Sequence, residues 1–409
     1  MPDAQPSQLT PIADAVQQLL ATLTLVAETD AVPLRECGGR ILAADFYSPM
    51  NVPPHNNSAM DGYAVRSSDL LDIPCQLEVS QRIVAGAVGE PLAAGEAARI
   101  FTGAPLPANA DAVVMQENAA ADANKVLIEK AVSSGENLRM AGEDVGEGQL
   151  LFAAGHRLRP QDVGVLASVG QTEVVVRRKL RIALLTTGDE LVAPGTELKP
   201  GQIYNSNFFG LATLLDNLGA EVSEIGIVED DFDHTKAALE SAANSADVVI
   251  STGGVSVGEE DHVKAAVEAC GHLDLWKLAI KPGKPFASGK IHATQFFGLP
   301  GNPVSAFVTF VLLVRPMLLT MLGCKQAFAH WLPMVAGFDA PASGERQEYL
   351  RVSLATSTSG DVQLKPFKNQ SSGVGASLSL ADGLAIIPPH TAVAQGDRLL
   401  YLPFSELIH

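Results

Sequence analysis

Ala246-Asp247-Val248-Val249-Ile250-Ser251-Thr252-Gly253-Gly254-Val255-Ser256-Val257-Gly258-Glu259-Glu260-Asp261 carries the reading of the fold. Its first five residues form a short apolar run that reads as a buried strand. A glycine-rich turn follows at the strand's end, where bare backbone N–H groups can approach an anion. The acidic tripeptide Glu259-Glu260-Asp261 offers hard oxygen ligands of the kind that suit Mg²⁺. An anion cradle beside a cation site points to chemistry on a phosphate or another oxyanion, without saying which.

Outward from that stretch, strand and helix patterns alternate. Strands are expected at 182–185, 222–228, 247–250 and 295–299. Helices are expected at 206–218, stopped by Gly219, and at 233–244, 262–270 and 303–322. This alternation predicts a parallel, doubly wound α/β sheet. Ligands of such sheets bind outside the carboxyl ends of the strands. On either side the texture differs. Residues 9–27 have apolar positions at helical spacing, with Thr10 placed to cap before Pro11. Residues 47–147, and those beyond 330, carry short β-rich runs between Gly, Pro and Asn turns. The last of these reads as a small β-barrel or sandwich.

At 409 residues the chain is too long for one ordinary core. Hydrophobic residues make up 47% and charged residues 18%, a globular composition. The net charge of −18 argues against a nucleic-acid partner, which needs a broad basic face. A small anionic substrate is still compatible with it, because local lysines override the global field. Cys37, Cys75, Cys270 and Cys324 are far apart, form no C-x-x-C and fit a reducing compartment. No signal-peptide n-region is expected, and the apolar run 306–322, broken by Arg315 and Pro316, reads as a buried helix rather than a membrane span. A cytoplasmic protein is the expectation.

Three loops should end at one sheet edge: Thr186-Thr187-Gly188-Asp189-Glu190, the glycine loop, and Gly298-Leu299-Pro300-Gly301-Asn302-Pro303-Val304-Ser305. Asn302 fits a helix cap and Pro303 the first helical position, so a helix start there offers N–H donors to an anion. Asp189, Glu190 and Asp261 would share that rim, although each alone is more often a cap or a solvated turn residue. Lys277, Lys281 and Lys284, in Trp276-Lys277-Leu278-Ala279-Ile280-Lys281-Pro282-Gly283-Lys284-Pro285-Phe286, suit a phosphate counter-charge or equally the flank of a surface hairpin. Asp61-Gly62 reads as a hairpin turn. Thr102 reads as a strand end, and Asp144 as part of an acidic loop. The histidines form no H-E-x-x-H, and no G-x-x-x-x-G-K-[ST] occurs; Gly254-Val255-Ser256-Val257-Gly258 has the G-x-S-x-G spacing but lies in the glycine loop already read as an anion cradle. Zinc-hydrolase and P-loop readings therefore fall away.

The strings NSAMDGYAV (57–65), FTGAPLP (101–107), GEDV (142–145), TTGDEL (186–191), STGGVSVGEED (251–261), WKLAIKPGKPF (276–286) and GLPGNPVSAF (298–307) occur in this order. Together they closely resemble the molybdopterin molybdenumtransferase family (MoeA), whose eukaryotic relatives include the E domain of gephyrin. The resemblance implies a multidomain α/β plus β protein in four parts. These are an N-terminal helix and linking region (1–46 and 148–178), a β-rich lobe (47–147), a MoaB/Mog-like doubly wound molybdopterin-binding domain (179–328) and a C-terminal β-barrel (329–409). It implies insertion of molybdenum from molybdate into adenylylated molybdopterin, with release of AMP and use of Mg²⁺. It further implies a homodimer whose cleft lies between the α/β module of one subunit and the β-rich lobe of the other. A molybdopterin adenylyltransferase and recipient molybdoenzymes or chaperones are the further partners expected, with neither nucleic acid nor membrane.

Carried over by the resemblance, Asp61, Glu190, Asp261, Lys277 and Lys281 are the catalytic candidates, with Glu190 and Asp261 on the metal. Thr102, Asp144, Gly253, Gly254, Ser256, Gly258, Pro300, Asn302, Pro303, Ser305 and Arg351 would bind substrate. Asp61, Thr102 and Asp144 would reach across the dimer, and Ser371 and Ser372 lie in a stretch like the family's barrel-edge loop. Asn56 stands where many relatives have an acid, and Arg139 is a single arginine where some have a cluster, which implies weaker anion recruitment. The alternatives are a molybdopterin adenylyltransferase, which would need no β-rich lobe, and a non-catalytic pterin-binding scaffold.

Overall fold

A computed structural model describes residues 9–254 and 262–407. Its central sheet has six strands. Glu221–Val228, Arg181–Thr187, Val248–Thr252 and Thr294–Leu299 lie side by side and parallel in that order. Pro285–Ile291 and then Gly271–Lys277 extend it antiparallel beyond Thr294–Leu299. The sheet is therefore mixed rather than wholly parallel. The last two connections are short turns, and parallel pairing needs a crossover of a dozen or more residues.

Side chains alternate across the sheet, as strand geometry requires. Ile182, Leu184, Val248 and Ile250 bury on one face with helices Ser206–Asn217 and Pro303–Thr309. Ala183, Leu185 and Val249 bury on the other with helices Phe232–Ser245 and His262–Cys270. The helix starts follow capping chemistry. The Asn205 side chain accepts from the Phe208 N–H, and that of Asp231 from Asp233 and His234. Gly219, at φ +76°, takes the left-handed turn that ends helix Ser206–Asn217.

The long apolar helix beginning at Pro303 is interrupted by a π-helical stretch, Phe310–Val314, before resuming as Arg315–Met321. Pro316 has no N–H to donate one turn back, which accounts for a widened turn just before it. This is the one described helix long and apolar enough to cross a membrane, and most of it is buried inside the protein.

The β-rich lobe is a six-stranded sheet, ordered Ala112–Met115, Gly62–Val65, Glu96–Ile100, Cys75–Ile83, Lys125–Ile128, Ala119–Asp122. Gly62 opens a central strand rather than a hairpin turn. It is paired on both sides, and a Cβ there would collide with the Val114 carbonyl. The linking region pairs Thr29–Pro33 with Glu173–Arg177 and Phe46–Tyr47 with Leu150–Phe152. Near the C-terminus, Gln347–Thr356 pairs with both Val362–Pro366 and Gly383–Ile387. Leu332–Ala336 and Arg398–Pro403 complete a closed five-stranded barrel.

The lobe has cores of its own. The barrel has a core of its own around Val352, Leu364 and Tyr401, and is also joined to the module. Tyr349, Leu384, Leu402 and Phe404 share one continuous core with the module and with Ala15 and Leu19 of helix Ile12–Thr22. All four cysteines are free.

Candidate active site

The parallel strands end at one edge, and their loops line a cleft of about 750 Å³. Thr187, Gly188 and Glu190 come from the first loop, Thr252 to Gly254 from the second and Pro300 to Pro303 from the third. The convergence expected from the strand pattern is present. Asn207 ties the loops together, its Nδ2 donating to Thr252 Oγ1 at 3.0 Å and to the Gly301 carbonyl at 2.7 Å. Thr252 Oγ1 donates in turn to the Pro300 carbonyl at 3.2 Å.

Gly253 and Gly254 both sit at positive φ, +91° and +63°. A Cβ on Gly253 would lie 2.6 Å from the Thr187 carbonyl, and one on Gly254 would strike the Val263 side chain. Glycine is needed here for the turn and for close packing against the neighbouring loop and helix. Ser256, Gly258 and Asp261 fall outside the described residues.

Glu190 is exposed and folds back against Gly188. Among the described residues its carboxylate makes no hydrogen bond or ion pair. Asp189 does not line the cleft; its Oδ1 accepts from the Asp230 N–H at 3.3 Å. Asp230 itself lines the cleft and was missed in the sequence. It follows the Glu221–Val228 strand, so the strand-end rule applied to one more strand finds it.

The Pro303 helix start offers fewer donors than its sequence suggests. Asn302 occupies the cap position without a side-chain cap bond, and the Val304 N–H is given to the Ser372 carbonyl at 3.0 Å. Ser305 is buried. The barrel thereby reaches the cleft, with Gly373 in its lining and Gly375 against the Pro303 ring.

Arg351 stands behind that barrel loop and is completely buried. Its Nη2 donates to the Asn369 and Ser371 carbonyls at 3.0 and 3.1 Å. Among the described residues its Nε and Nη1 have no partner, and burial lowers the guanidinium pKa. Expected from the resemblance to bind substrate, it does not line the cleft but supports the loop from beneath.

The lysine-rich hairpin lies alongside. Pro285 lines the cleft, while Lys281 and Lys284 line a separate cavity of about 390 Å³. Lys281 is held by Glu348 at 2.9 Å, and Lys277 is half-buried. Phe286 stacks between Trp276 and Phe297, fixing the base of the hairpin.

Asp61, Thr102 and Asp144 are exposed on the β-rich lobe and do not line the cleft of their own chain. Asp61 Oδ1 accepts from the Thr102 N–H at 2.8 Å and from Thr102 Oγ1 at 2.9 Å. These bonds, the backbone one foremost, lower its pKa and keep the carboxylate ionised. Arg99, stacked on Tyr63 and Phe101, donates to the Gly62 carbonyl at 3.0 Å and fixes the next residue.

Comparison with known proteins agrees with this architecture. Residues 10–170 match the MoeA N-terminal region (domain I and II), 183–320 the family described as "Probable molybdopterin binding domain", and 333–404 the MoeA C-terminal region (domain IV). A molybdopterin molybdenumtransferase of Haemophilus influenzae is 43% identical over 76% of this chain and 78% of its own. One of Nostoc is 35% identical over 95% of this chain and 92% of its own. The crystal structure of a molybdopterin biosynthesis MoeA protein from Pyrococcus horikoshii superposes with a TM-score of 0.83 at 30% identity, covering 97% of this chain and 100% of that one. With its fold, its strand-edge cleft and its near full-length similarity in agreement, the chain belongs to the molybdopterin molybdenumtransferase (MoeA) family.

Proposed function

We propose that this chain inserts molybdenum from molybdate into adenylylated molybdopterin, releasing AMP and leaving the molybdenum cofactor. The observation that carries the reading is the cleft of about 750 Å³ in which two left-handed glycines, an unpaired carboxylate and a helix start meet. That volume suits a ligand of nucleotide size. Gly253 and Gly254 let the backbone approach a pyrophosphate without side-chain obstruction.

Glu190 and Asp230, which line the cleft, offer the hard oxygen donors that Mg²⁺ takes and would hold it; Asp261, expected to join them, lies outside the described residues. When bound, the ion would polarise the phosphoanhydride and favour departure of AMP. Lys277 and Lys281 would neutralise phosphate charge, Lys281 by leaving Glu348 as the anion arrives. Molybdate would lie where the 369–373 loop meets Pro300 and Asn302. Arg351, with two unpaired nitrogens under that loop, would supply positive charge. The two dithiolene thiols of the pterin would then replace a molybdate oxygen, which leaves as water with the thiol protons.

Asp61, Thr102 and Asp144 lie off the cleft of their own chain, and this supports a homodimer in which the lobe of one subunit completes the cleft of the other. Free cysteines fit the reducing cytoplasm. The test is incubation with adenylylated molybdopterin and molybdate, with and without Mg²⁺. AMP release together with active cofactor is expected. Pterin binding without turnover would favour a scaffold, and adenylylation of free molybdopterin would favour the adenylyltransferase.

A further inference from the structure

One wall of the strand-edge cleft is aromatic. Among the described residues of the lining Tyr204 is the one aromatic side chain, and Ile203 stands beside it in the chain. Tyr204 is 44% exposed and Ile203 55%. Large apolar side chains scattered singly over a surface are ordinary, whereas two neighbours left open within a cleft mark a face that contacts a ligand.

Local structure holds that wall in place. Ile203–Tyr204 pairs in parallel with Leu191–Val192, the segment that follows Glu190. The Ile203 N–H donates to the Glu190 carbonyl at 2.8 Å, and the Asn205 N–H to the Val192 carbonyl at 3.0 Å. Asn205 itself is buried. Its Nδ2 donates to Thr186 Oγ1 at 2.8 Å, and its side-chain oxygen caps the helix that follows. At the far end of the ring, Tyr204 Oη donates to the Thr196 carbonyl at 2.9 Å, inside the intervening 193–202 loop. The protein thus satisfies the hydroxyl, and what the ring still offers is its π face. A ring fixed at both ends needs little further ordering when a ligand arrives. The cleft therefore joins two kinds of surface, the left-handed backbone of Gly253 and Gly254 and the flat face of Tyr204.

We propose that Tyr204 stacks a planar heteroaromatic ring of the substrate. The inference rests on the molybdenum-insertion reading, in which the substrate carries a pterin at one end of its pyrophosphate and an adenine at the other. Either ring has the flat, polarisable face that an aromatic side chain accepts, because stacking needs a π surface and not a particular pattern of donors. Tyr204 is on this account a binding residue. It sets the affinity and placement of the substrate and takes no part in the bond that breaks.

Isothermal titration of the unsubstituted full chain, Tyr204→Leu and Tyr204→Phe with AMP, ribose phosphate and hydroxymethylpterin tests this. The side chain is exposed, and an unchanged melting midpoint verifies folding. Tyr204→Leu is expected to bind AMP, the pterin or both at least about fivefold more weakly, the lower end of what a lost base–aromatic stack costs, with ribose phosphate unaffected. Tyr204→Phe keeps the ring and should keep the affinity. A loss confined to AMP seats the adenine on Tyr204, and one confined to the pterin seats the pterin there. Ribose phosphate binding, with AMP and pterin affinities the same in the unsubstituted chain and Tyr204→Leu, would overturn the stacking role alone. An equal fall for all three ligands, or a fall as large in Tyr204→Phe, would also overturn it, by making Tyr204 a support of its loop. Failure of all three to bind the unsubstituted chain would overturn the reading of the cleft and this inference together.

Discussion

The carbonyl of Ser372 accepts the backbone N–H of Val304 at 3.0 Å, joining the C-terminal barrel to the helix start at the edge of the cleft. The bond lies over a continuous core in which Tyr349, Leu384, Leu402 and Phe404 pack with the module. The barrel is thus part of the cleft's foundation. Burial of four such side chains is worth on the order of 6–12 kcal/mol. A chain ending at residue 328 is therefore expected to be insoluble or to melt without cooperativity. Replacing residues 57–140 of the lobe by a short Gly-Ser linker should leave a cooperative transition, because the lobe's cores are its own. Circular dichroism melting of the two proteins measures the contrast.

Arg351→Met separates support from stability. The arginine contributes two hydrogen bonds to loop carbonyls but buries two nitrogens without partners. Removing a buried cation of this kind is often close to neutral when a side chain of similar volume replaces it. The expected stability change is within about 1 kcal/mol by urea denaturation, while molybdate-dependent AMP release falls at least about tenfold. A large stability loss with activity retained in the folded fraction would assign Arg351 to the barrel alone.

Thr102→Val removes one of the two hydrogen bonds that keep Asp61 ionised. The folded pKa of Asp61 then rises toward its ordinary value. If the ionised carboxylate is needed, activity is present above that pKa and lost as pH falls through it. The acid limb of the pH–rate profile is expected to move to higher pH, with the neutral-pH rate reduced less. An acid limb that stays in place would detach Asp61 from the reaction.

Asp162 anchors the start of helix Pro160–Ser168. Burial raises its pKa, but hydrogen bonds from Arg159 and His156 outweigh this and hold it at about 2. Its folded pKa lies below the unfolded one. The stabilisation it gives is therefore complete above about pH 4 and lost as pH falls toward about 2. Asp162→Asn should cost about 1–3 kcal/mol at neutral pH. The gap from the unsubstituted protein should close across that acid window in denaturation curves taken at stepped pH.

Asp230→Asn tests the metal reading with the least disturbance of shape. The backbone N–H that meets Asp189 is retained. Losing one carboxylate oxygen donor should raise the Mg²⁺ needed for half-maximal AMP release by about 10–100-fold, by analogy with the loss of groups that support a metal site. Mg²⁺ titration after chelation reads this directly. An unchanged requirement would leave Glu190 and Asp261 as the metal's carboxylates.

Much of this was legible in the chain because it is encoded locally. Apolar runs of four to six residues, separated by helical periodicity and glycine stops, dictate strands, helices and the edge at which their loops end. Gly253, Glu190, Asn302 and Pro303 follow from that pattern, and the seven ordered strings identify the family. The rest depends on partners distant in sequence. Nothing near Gly271 says that its strand pairs antiparallel; that follows from the short connections to Pro285–Ile291 and Thr294–Leu299. Nothing near Arg351 says that it is sealed under the 369–373 loop, or that Ser372 takes a helix N–H that looked free for an anion. Likewise Asp61-Gly62 reads as a turn until Val114 is known to lie against Gly62 from the neighbouring strand. Periodicity and turn chemistry belong to neighbouring residues. Burial, charge pairing and the sharing of one core among three parts of the chain exist only once those parts have packed.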